Sequence, residues 1–316
     1  MKISIIIPIY NVADYIERCL LSALNQTYPN VEYILVNDAT PDNSMEIVGD
    51  ILSKHPREKS VKIVHHAENK GLAEARNTGV RSSKGEYVYF LDSDDAIAPD
   101  CLETLVKPVD SDQVDFVIGE IQVMGNSRAA YPPLLLKDGI YHGSDCIINA
   151  YFRRQWYEMA WNKLIKRSLL VEKKLWFEEG ILHEDTLWSF QLAIAAQSMA
   201  VTHEPTYIYH IQSNSITQKK SKKNIECFYF VLEKIIQLAN DQNLFTTQKN
   251  IFPYLENARV YFIKSLLRGK FDKRYIHEQR YQIDTLYKKW VWKSKSRKLE
   301  FVLKEFILLL WIFFKY

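Results

Sequence analysis

Cysteine is scarce in this chain of 316 residues: the four cysteines are scattered, with no paired spacing (Cys19, Cys101, Cys146 and Cys227). This spacing argues against a zinc site or a disulfide framework and favours a reducing compartment. A signal peptide is not predicted either, because the N-terminal apolar run is interrupted by Pro8 and lacks a small-residue cleavage site. We interpret that run as a first β-strand.

Glycine is absent from the turn after this strand, where residues 8–12 read Pro-Ile-Tyr-Asn-Val. A dinucleotide-binding fold needs G-x-G-x-x-G there, so NAD or FAD is not expected. The lysine motif of a P-loop is also missing. Phosphatases of the haloacid dehalogenase type carry an Asp-x-Asp pair on the first strand, whereas here such a pair follows the fourth strand without a subsequent threonine. These three functions are therefore poor candidates.

Residues 85–95 carry the strongest signal: an apolar strand runs directly into three carboxylates, Asp92, Asp94 and Asp95. In open α/β sheets, ligands bind at the carboxyl ends of strands. Three close carboxylates repel each other, and a divalent cation such as Mg²⁺ or Mn²⁺, itself holding a diphosphate, is the simplest partner. The alternative is that Ser93, Asp94 and Asp95 form a turn and cap the helix that follows Pro99.

The first 95 residues alternate between strands and helices. Strands are predicted at 2–9, 31–37, 61–65 and from 85, and helices at 13–25, 42–54 and 72–82. This alternation predicts an α/β fold, a mainly parallel sheet with helices on both faces. Because parallel strands share a carboxyl edge, Tyr10, Asp38 and the acidic stretch 92–95 should lie together there.

The rest of the chain is less regular. We predict strands at 114–124 and 206–211, a loop and hairpin at 125–143, helices at 144–154 and 187–196, a short helix after 161–164, and a basic loop at 213–223. From about residue 224 onward the pattern is helical. Residues 259–298 hold 13 Lys or Arg against 3 Asp or Glu, and this basic arm predicts an anionic partner, either nucleic acid or a membrane surface.

Several short motifs resemble the family 2 glycosyltransferases, inverting enzymes that build bacterial surface polysaccharides from nucleotide-sugars. The matching segments are Ile7-Pro8-Ile9-Tyr10-Asn11, Val36-Asn37-Asp38 with Asp42-Asn43-Ser44, Glu68-Asn69-Lys70-Gly71 with Ala75-Arg76-Asn77, Leu91-Asp92-Ser93-Asp94-Asp95, Trp161-Asn162-Lys163-Leu164, Glu184-Asp185 and Ser215-Ile216-Thr217. The likeness covers about residues 2–220. It implies a GT-A domain at 1–220, with a nucleotide-sugar half (1–110) and an acceptor half (111–220). The helical region at 221–316, predicted from the sequence pattern, is not covered by family motifs.

The resemblance also implies roles for individual residues. Pro8 and Tyr10 would frame the uracil of a UDP-sugar, Asp38 would hydrogen-bond it, Asp92 would contact the ribose with Ser93 beside it, and Asp94 would ligate Mn²⁺ or Mg²⁺. Asp185 of the Glu184-Asp185 pair would be the catalytic base. One departure is Asn37, where the family often has a second aspartate, so ribose or base contacts at that position are in doubt.

Four further residues are candidates for the site, and three of them carry two interpretations each. Lys70 and Arg76 could neutralise the leaving diphosphate, although Arg76 could equally form a structural ion pair. His210 could reach the metal or the diphosphate, or could be a core histidine. Trp161 could form a platform for a sugar ring, with core packing as the alternative.

The implied reaction is a single displacement at an anomeric carbon, which inverts the configuration. The run of apolar residues at 306–314 is too short to span a bilayer. Together with the basic arm, it predicts a tail that lies on the anionic inner face of the plasma membrane, beside a lipid-linked glycan acceptor. We thus expect a cytoplasmic, peripheral membrane protein that binds no nucleic acid. The alternatives are a non-catalytic nucleotide-sugar-binding or scaffold member of the fold, or a sugar nucleotidyltransferase.

Overall fold

The computed structural model describes residues 1–125, 134–211 and 221–291. These residues divide into two compact units, the first ending within the gap at 212–220 and the second following it. The Ser215-Ile216-Thr217 motif, part of the basic loop and the tail beyond residue 291 lie outside the described residues.

The nucleotide-sugar half predicted from the sequence is built from β-α repeats. Its elements are β1 (Ile3–Ile9), α1 (Ile16–Leu24), β2 (Val31–Asn37), α2 (Ser44–Leu52), β3 (Val61–His65), α3 (Leu72–Ser82), β4 (Tyr87–Phe90), β5 (Ala96–Ile97) and α4 (Cys101–Asp112). All seven residues of β1 are buried, as expected for a parallel strand covered on both faces.

The second part of this unit contains β6 (Phe116–Met124), β7 (Gly139–His142), α5 (Ser144–Phe152), β8 (Lys163–Lys166), α6 (Arg167–Glu172), α7 (Glu184–Ala195) and β9 (Ser198–His210). Among the described residues, nine strands form one sheet in the order β3-β2-β1-β4-β8-β6-β9-β5, with β7 paired to β9. β1, β2, β3 and β4 are mutually parallel, and β6 is parallel to β9. β8 runs antiparallel to both of its neighbours.

Helices cover both faces of β1. Ile3, Ile5, Ile7 and Ile9 pack in one core cluster with residues of α1 and α4. On the opposite face α3 approaches so closely that a Cβ on Gly79 would lie 2.2 Å from Ile6 Cγ2. The predicted α/β fold with a mainly parallel sheet is confirmed.

The strand boundaries differ from the prediction at β8 and β9. β8 was not predicted, because a four-residue strand after Trp161-Asn162 carries too short a pattern to be separated from the helix behind it. β9 begins at Ser198, whereas only 206–211 was predicted. Pro205 interrupts the apolar pattern, and the pairing of β6 with β9 is irregular on both sides of Glu120, the register partner of Pro205.

The second unit is helical, as predicted. It contains α8 (Lys222–Asp241), α9 (Leu244–Thr247), α10 (Ile251–Arg268) and α11 (Lys273–Val291). Arg259 of α10 is fully buried and joins α10 to α11 by pairing with Asp284 at 2.5 Å. Among the helices of the described ranges, none has both the length and the apolar character that a bilayer crossing requires.

Candidate functional site

The ends of three parallel strands meet at one edge of the sheet. Tyr10 follows β1 and is 46% exposed, whereas Asp38 follows β2 and is only 2% exposed. The acidic stretch 92–95 follows β4, and its turn is closed by a hydrogen bond from Asp95 N to Asp92 O of 3.1 Å. This edge therefore brings together polar groups from three separate segments, as predicted from the alternation of strands and helices.

Arg76 of α3 links the acidic stretch to the start of α7. Its Nη2 donates to Asp92 Oδ1 at 2.8 Å, and its Nη1 donates to Asp185 Oδ1 at 2.6 Å and to Glu184 Oε1 at 3.3 Å. Because one planar guanidinium contacts both Asp92 and Asp185, it holds the two carboxylates on either side of itself. The candidate donor-binding acid and the candidate base thus belong to one cluster.

The surroundings of Arg76 explain its fixed position. The guanidinium is 1% exposed and lies 5.3 Å from the centre of the Phe177 ring. The Asn77 side chain of α3 holds the Phe177 backbone through two hydrogen bonds. Its Nδ2 donates to Phe177 O at 3.0 Å, and its Oδ1 accepts from Phe177 N at 2.9 Å. Arg76 Nε has no hydrogen-bond partner in the part of the chain that the structure describes.

The two acids at the start of α7 both have raised pKa values. Burial raises the pKa of Glu184 to about 7, and the Asp185 charge adds to the rise, while Arg76 opposes it. Burial also raises the pKa of Asp185, against the opposing effect of Arg76. A carboxylate whose pKa is raised accepts a proton more readily, which is the property that a general base requires.

A second set of contacts ties the acidic stretch to the end of β9. Asp95 accepts hydrogen bonds from Tyr207 Oη and from His210 N, each at 2.8 Å. Asp92 N in turn donates to Tyr207 Oη at 3.4 Å. His210 therefore lies at the same edge as Asp94, and burial lowers the pKa of its imidazole.

Within the described ranges, no group of three His, Cys, Asp or Glu side chains is arranged so that it could hold a metal ion by itself. Asp94 nevertheless fits a divalent cation. Burial together with Asp92 raises the pKa of its carboxyl group to about 6, and the charge of Arg18, which donates a hydrogen bond to Asp94 O, offsets this rise only in part. Mg²⁺ in nucleotide sites commonly uses one or two carboxylates and completes its shell with substrate phosphates. The donor set present is therefore compatible with a metal that arrives with a diphosphate.

Asp38 holds the loop before α3 in place. Its carboxylate accepts hydrogen bonds from Lys70 N and Gly71 N, each at 2.8 Å, and lies 2.6 Å from His66 Nδ1. Gly71 needs its φ of +86°, a conformation that glycine adopts without strain. In this arrangement Lys70 contacts Asp38 through its backbone amide.

Asn37 has two partners that explain an amide at this position. Its Nδ2 lies 3.0 Å from His65 Nδ1, and its Oδ1 accepts a hydrogen bond from Thr40 N at 2.9 Å. An aspartate could accept from Thr40 but could not donate to a neutral histidine. The departure from the family pattern is thus accommodated within this sheet edge.

Trp161 lies in the core. It is 4% exposed, and its ring stacks on those of Tyr207 and Tyr209 with centroid distances of 4.3 and 5.6 Å. Core packing therefore describes the position of Trp161 better than a sugar platform does.

Two residues expected to lie beside the donor are also largely buried. Pro8 lies within β1, and Ser93 is 8% exposed.

Two residues at this site, Tyr207 and Lys163, were not singled out from the sequence, and Asp95 was noticed only as one of three neighbouring carboxylates. Tyr207 contacts Asp95 across 112 positions of the chain, and Lys163 lies on the unpredicted β8. The signal that the sequence offered was a lysine between the apolar residues Trp161 and Leu164 of the Trp161-Asn162-Lys163-Leu164 motif; the structure shows that this lysine is fully buried, where lysine is rarely found without a partner.

The sequence of the chain matches a known protein family. The chain matches the family model described as Glycosyl transferase family 2 over residues 4–172. It is 34% identical over 68% of its length to the uncharacterized glycosyltransferase EpsJ of Bacillus subtilis, of which it covers 63%. It is also 30% identical over 71% of its length to the poly(ribitol-phosphate) beta-N-acetylglucosaminyltransferase TarP of Staphylococcus aureus, of which it covers 68%.

Solved structures share the architecture. TarS 1-349 of S. aureus in complex with UDP-GlcNAc superposes with a TM-score of 0.61 at 19% identity, over 84% of this chain and 81% of that one. The mannosyltransferase PcManGT of Pyrobaculum calidifontis, in complex with GDP-Man and Mn²⁺, gives a TM-score of 0.55 at 18% identity, over 93% and 88%. The fold is that of the GT-A glycosyltransferases. With the family match, this chain belongs to glycosyl transferase family 2.

Proposed function

We propose that the protein is an inverting glycosyltransferase that moves a sugar from a UDP-sugar to a hydroxyl group of a glycan acceptor during the synthesis of a bacterial surface polysaccharide. The observation that carries this proposal is the Arg76 bridge between Asp92 and Asp185. It joins the strand end at which nucleotides bind in such sheets to a carboxylate that can accept a proton. UDP is favoured as the nucleotide because TarS, a structural neighbour, was solved with UDP-GlcNAc.

The donor would lie along the carboxyl edge of β1, β2 and β4. Tyr10 is exposed there and could cover the base, with Pro8 behind it and Asp38 shaping the loop at Lys70. Asp92 and Ser93 would face the ribose. Asp94, with His210 as a possible second ligand, would hold Mn²⁺ or Mg²⁺, which when bound would neutralise charge on the leaving diphosphate.

Asp185 would remove the proton of the attacking hydroxyl group. Arg76 holds this carboxylate in one orientation, and the neighbouring Glu184 shares the same guanidinium. The acceptor oxygen would then form a bond to the anomeric carbon as the bond to the diphosphate oxygen breaks. One displacement inverts the anomeric centre, so an α-linked donor would yield a β-linked product.

The acceptor is proposed to be a lipid-linked glycan at the inner face of the plasma membrane. The support is the excess of positive charge in residues 259–298 and the apolar run at 306–314. A cytoplasmic, peripheral protein with these features would work beside its acceptor. We propose no nucleic-acid partner, because that would leave the acidic edge without a role.

Calorimetric titration with UDP tests the donor and metal parts of this proposal. We expect wild-type protein to bind UDP in the presence of Mn²⁺ at least tenfold more tightly than in the presence of EDTA. The Asp94→Ala variant should lose this dependence on the metal. Asp100→Ala is the matched control, since Asp100 is an exposed acid six residues further along the chain.

A panel of UDP-sugars then tests transfer, with UDP release as the measurement. Release that is lost in Asp185→Asn while UDP binding is retained would support the assigned base. Equal UDP binding by wild type and Asp94→Ala would contradict the metal site. An α-linked product from an α-linked donor would contradict inversion.

A further inference from the structure

We infer that Lys163 positions the candidate base Asp185 through the peptide group that joins Met159 to Ala160. This inference concerns how the site proposed above is held together, and so it rests on the proposed role of Asp185. Lys163 belongs to β8, the strand that the sequence pattern did not predict, and its side chain is completely buried.

The position of Lys163 requires an explanation in physical terms. Its strand lies between β4 and β6 in the middle of the sheet, and its Nζ lies 5.5 Å from the ring centre of Trp156. A buried ammonium group loses its hydration and is retained only where other groups compensate it. A methionine would fill the same volume without that cost, so packing alone does not account for lysine here.

One peptide group lies between Lys163 and Asp185. Lys163 Nζ donates a hydrogen bond to the carbonyl oxygen of Met159. The N–H of the same peptide group belongs to Ala160, and it acts on the Asp185 carboxylate, whose pKa it lowers. A hydrogen bond to the carbonyl end orients the group and strengthens its N–H as a donor.

Hydrogen bonds also connect Glu158, the residue before Met159, to the first turns of α7. Ser189 Oγ donates to Glu158 O, and Thr186 Oγ1 lies 3.4 Å from Glu158 Oε2. Residues 158–160 are therefore held between α7, which presents Asp185, and β8, which presents Lys163. A change at Lys163 would release the peptide on one side only.

The charges around Lys163 agree with this arrangement. Burial lowers the pKa of its ammonium group to about 7, while Asp185 and Glu158 oppose this effect and Arg76 adds to it. In return Lys163 lowers the pKa of Asp185, together with Arg76. Lys163 is thus a second cation, beside Arg76, that favours the ionised form of the base.

Two substitutions separate positioning from packing. Lys163→Gln removes the charge but retains an N–H donor for Met159 O, whereas Lys163→Met removes both and conserves the volume. If Lys163 positions Asp185, turnover should fall about tenfold or more in Lys163→Met and less in Lys163→Gln, with UDP affinity unchanged in both. If Lys163 only fills space, Lys163→Met should be the better tolerated of the two. The control is Lys166→Met, at the other end of the same strand.

The probe for turnover is UDP release from UDP-GlcNAc with Mn²⁺, measured from pH 5 to pH 9. The acid limb of the wild-type profile should move to higher pH in Lys163→Met and stay in place in Lys166→Met. Wild-type turnover in Lys163→Met, within twofold and with the same profile, would overturn the inference.

Hydrogen exchange at the Ala160 amide tests the geometry without any turnover. In ¹⁵N-labelled protein, exchange at this amide should be at least tenfold faster in Lys163→Met than in wild type or Lys166→Met. Unchanged exchange would overturn the inference. If Lys163→Met did not fold, Lys163→Gln would carry the same comparison with a smaller expected increase. Absence of UDP release from wild type, with faster exchange in the variants, would count against UDP-GlcNAc as donor and not against the role of Lys163.

Discussion

Arg76 is the residue on which the candidate site depends most. It is buried, and it contacts two acids that are 93 positions apart in the chain, Asp92 after β4 and Asp185 in α7. A lysine would conserve the charge but could not direct two N–H groups at two carboxylates in one plane. Of the two interpretations weighed from the sequence, the structure shows the ion pair, and a contact of Arg76 with the leaving diphosphate stays a prediction.

Arg76→Lys is expected to lower turnover about 100-fold and the free energy of unfolding by about 1–3 kcal/mol, because at least one buried carboxylate loses its hydrogen bond. UDP release and urea denaturation measure the two effects. Arg81→Lys is the control, since Arg81 lies on the same helix and pairs with Glu74, but at 48% side-chain exposure. Turnover of Arg76→Lys within threefold of Arg81→Lys would contradict the prediction.

Glu184 should make the stability of the protein depend on pH. Burial and Asp185 raise its pKa to about 7 in the folded state, so folding favours the protonated form. Its contribution is fully present below the unfolded pKa of about 4.3 and is lost as pH rises through about 7. In EDTA, wild type should lose on the order of 3 kcal/mol more than Glu184→Gln between pH 4.5 and pH 7.5. Parallel stability curves of the two proteins in denaturant titrations would contradict this.

The packing of helix α3 against β1 fixes where Arg76 and Asn77 lie. Gly79, one turn further along, permits the close approach, because a Cβ there would meet Ile6 Cγ2 at 2.2 Å. Gly79→Ala should therefore lower the free energy of unfolding by about 1–3 kcal/mol through overpacking, and it should also lower turnover by displacing Arg76. Chemical denaturation and UDP release are the measurements.

Gly49→Ala provides the matched control for this element. Gly49 lies inside α2, and a Cβ at that position would meet no atom within 4 Å. The substitution should raise stability by up to about 1 kcal/mol, because alanine is the better helix former. If Gly79→Ala were as stable as Gly49→Ala, the close contact between α3 and β1 would not be what positions the helix.

The strands of the sheet show which parts of the fold and the site could be predicted from the sequence. β1 to β4 were predicted within about two residues, because continuous apolar runs separated by helical periods leave few alternatives. β8 was missed, and with it the burial of Lys163, because four residues contain no resolvable period. The pairing of Asp95 with Tyr207 spans 112 positions, and only the folded sheet brings such residues together.

At the scale of the whole molecule, the charges are divided unequally along the chain. Asp92, Asp94 and Asp95 lie in the first unit, whereas residues 259–298 carry 13 Lys or Arg against 3 Asp or Glu. Attraction to anionic lipids contributes about 1 kcal/mol for each Lys or Arg near the surface and weakens with salt. The apolar run at 306–314 would add burial in the lipid interface.

The protein is therefore expected to sediment with vesicles that contain phosphatidylglycerol and not with phosphatidylcholine vesicles. Deletion of residues 299–316 should weaken this binding at least tenfold at 0.15 M salt, and 0.5 M salt should weaken what remains, because the basic arm alone is screened. UDP binding should be equal in both forms, which verifies that the first unit is intact. If the shortened chain sedimented as the full chain does, the tail would not be a membrane anchor, and the basic arm would be the surface to alter next.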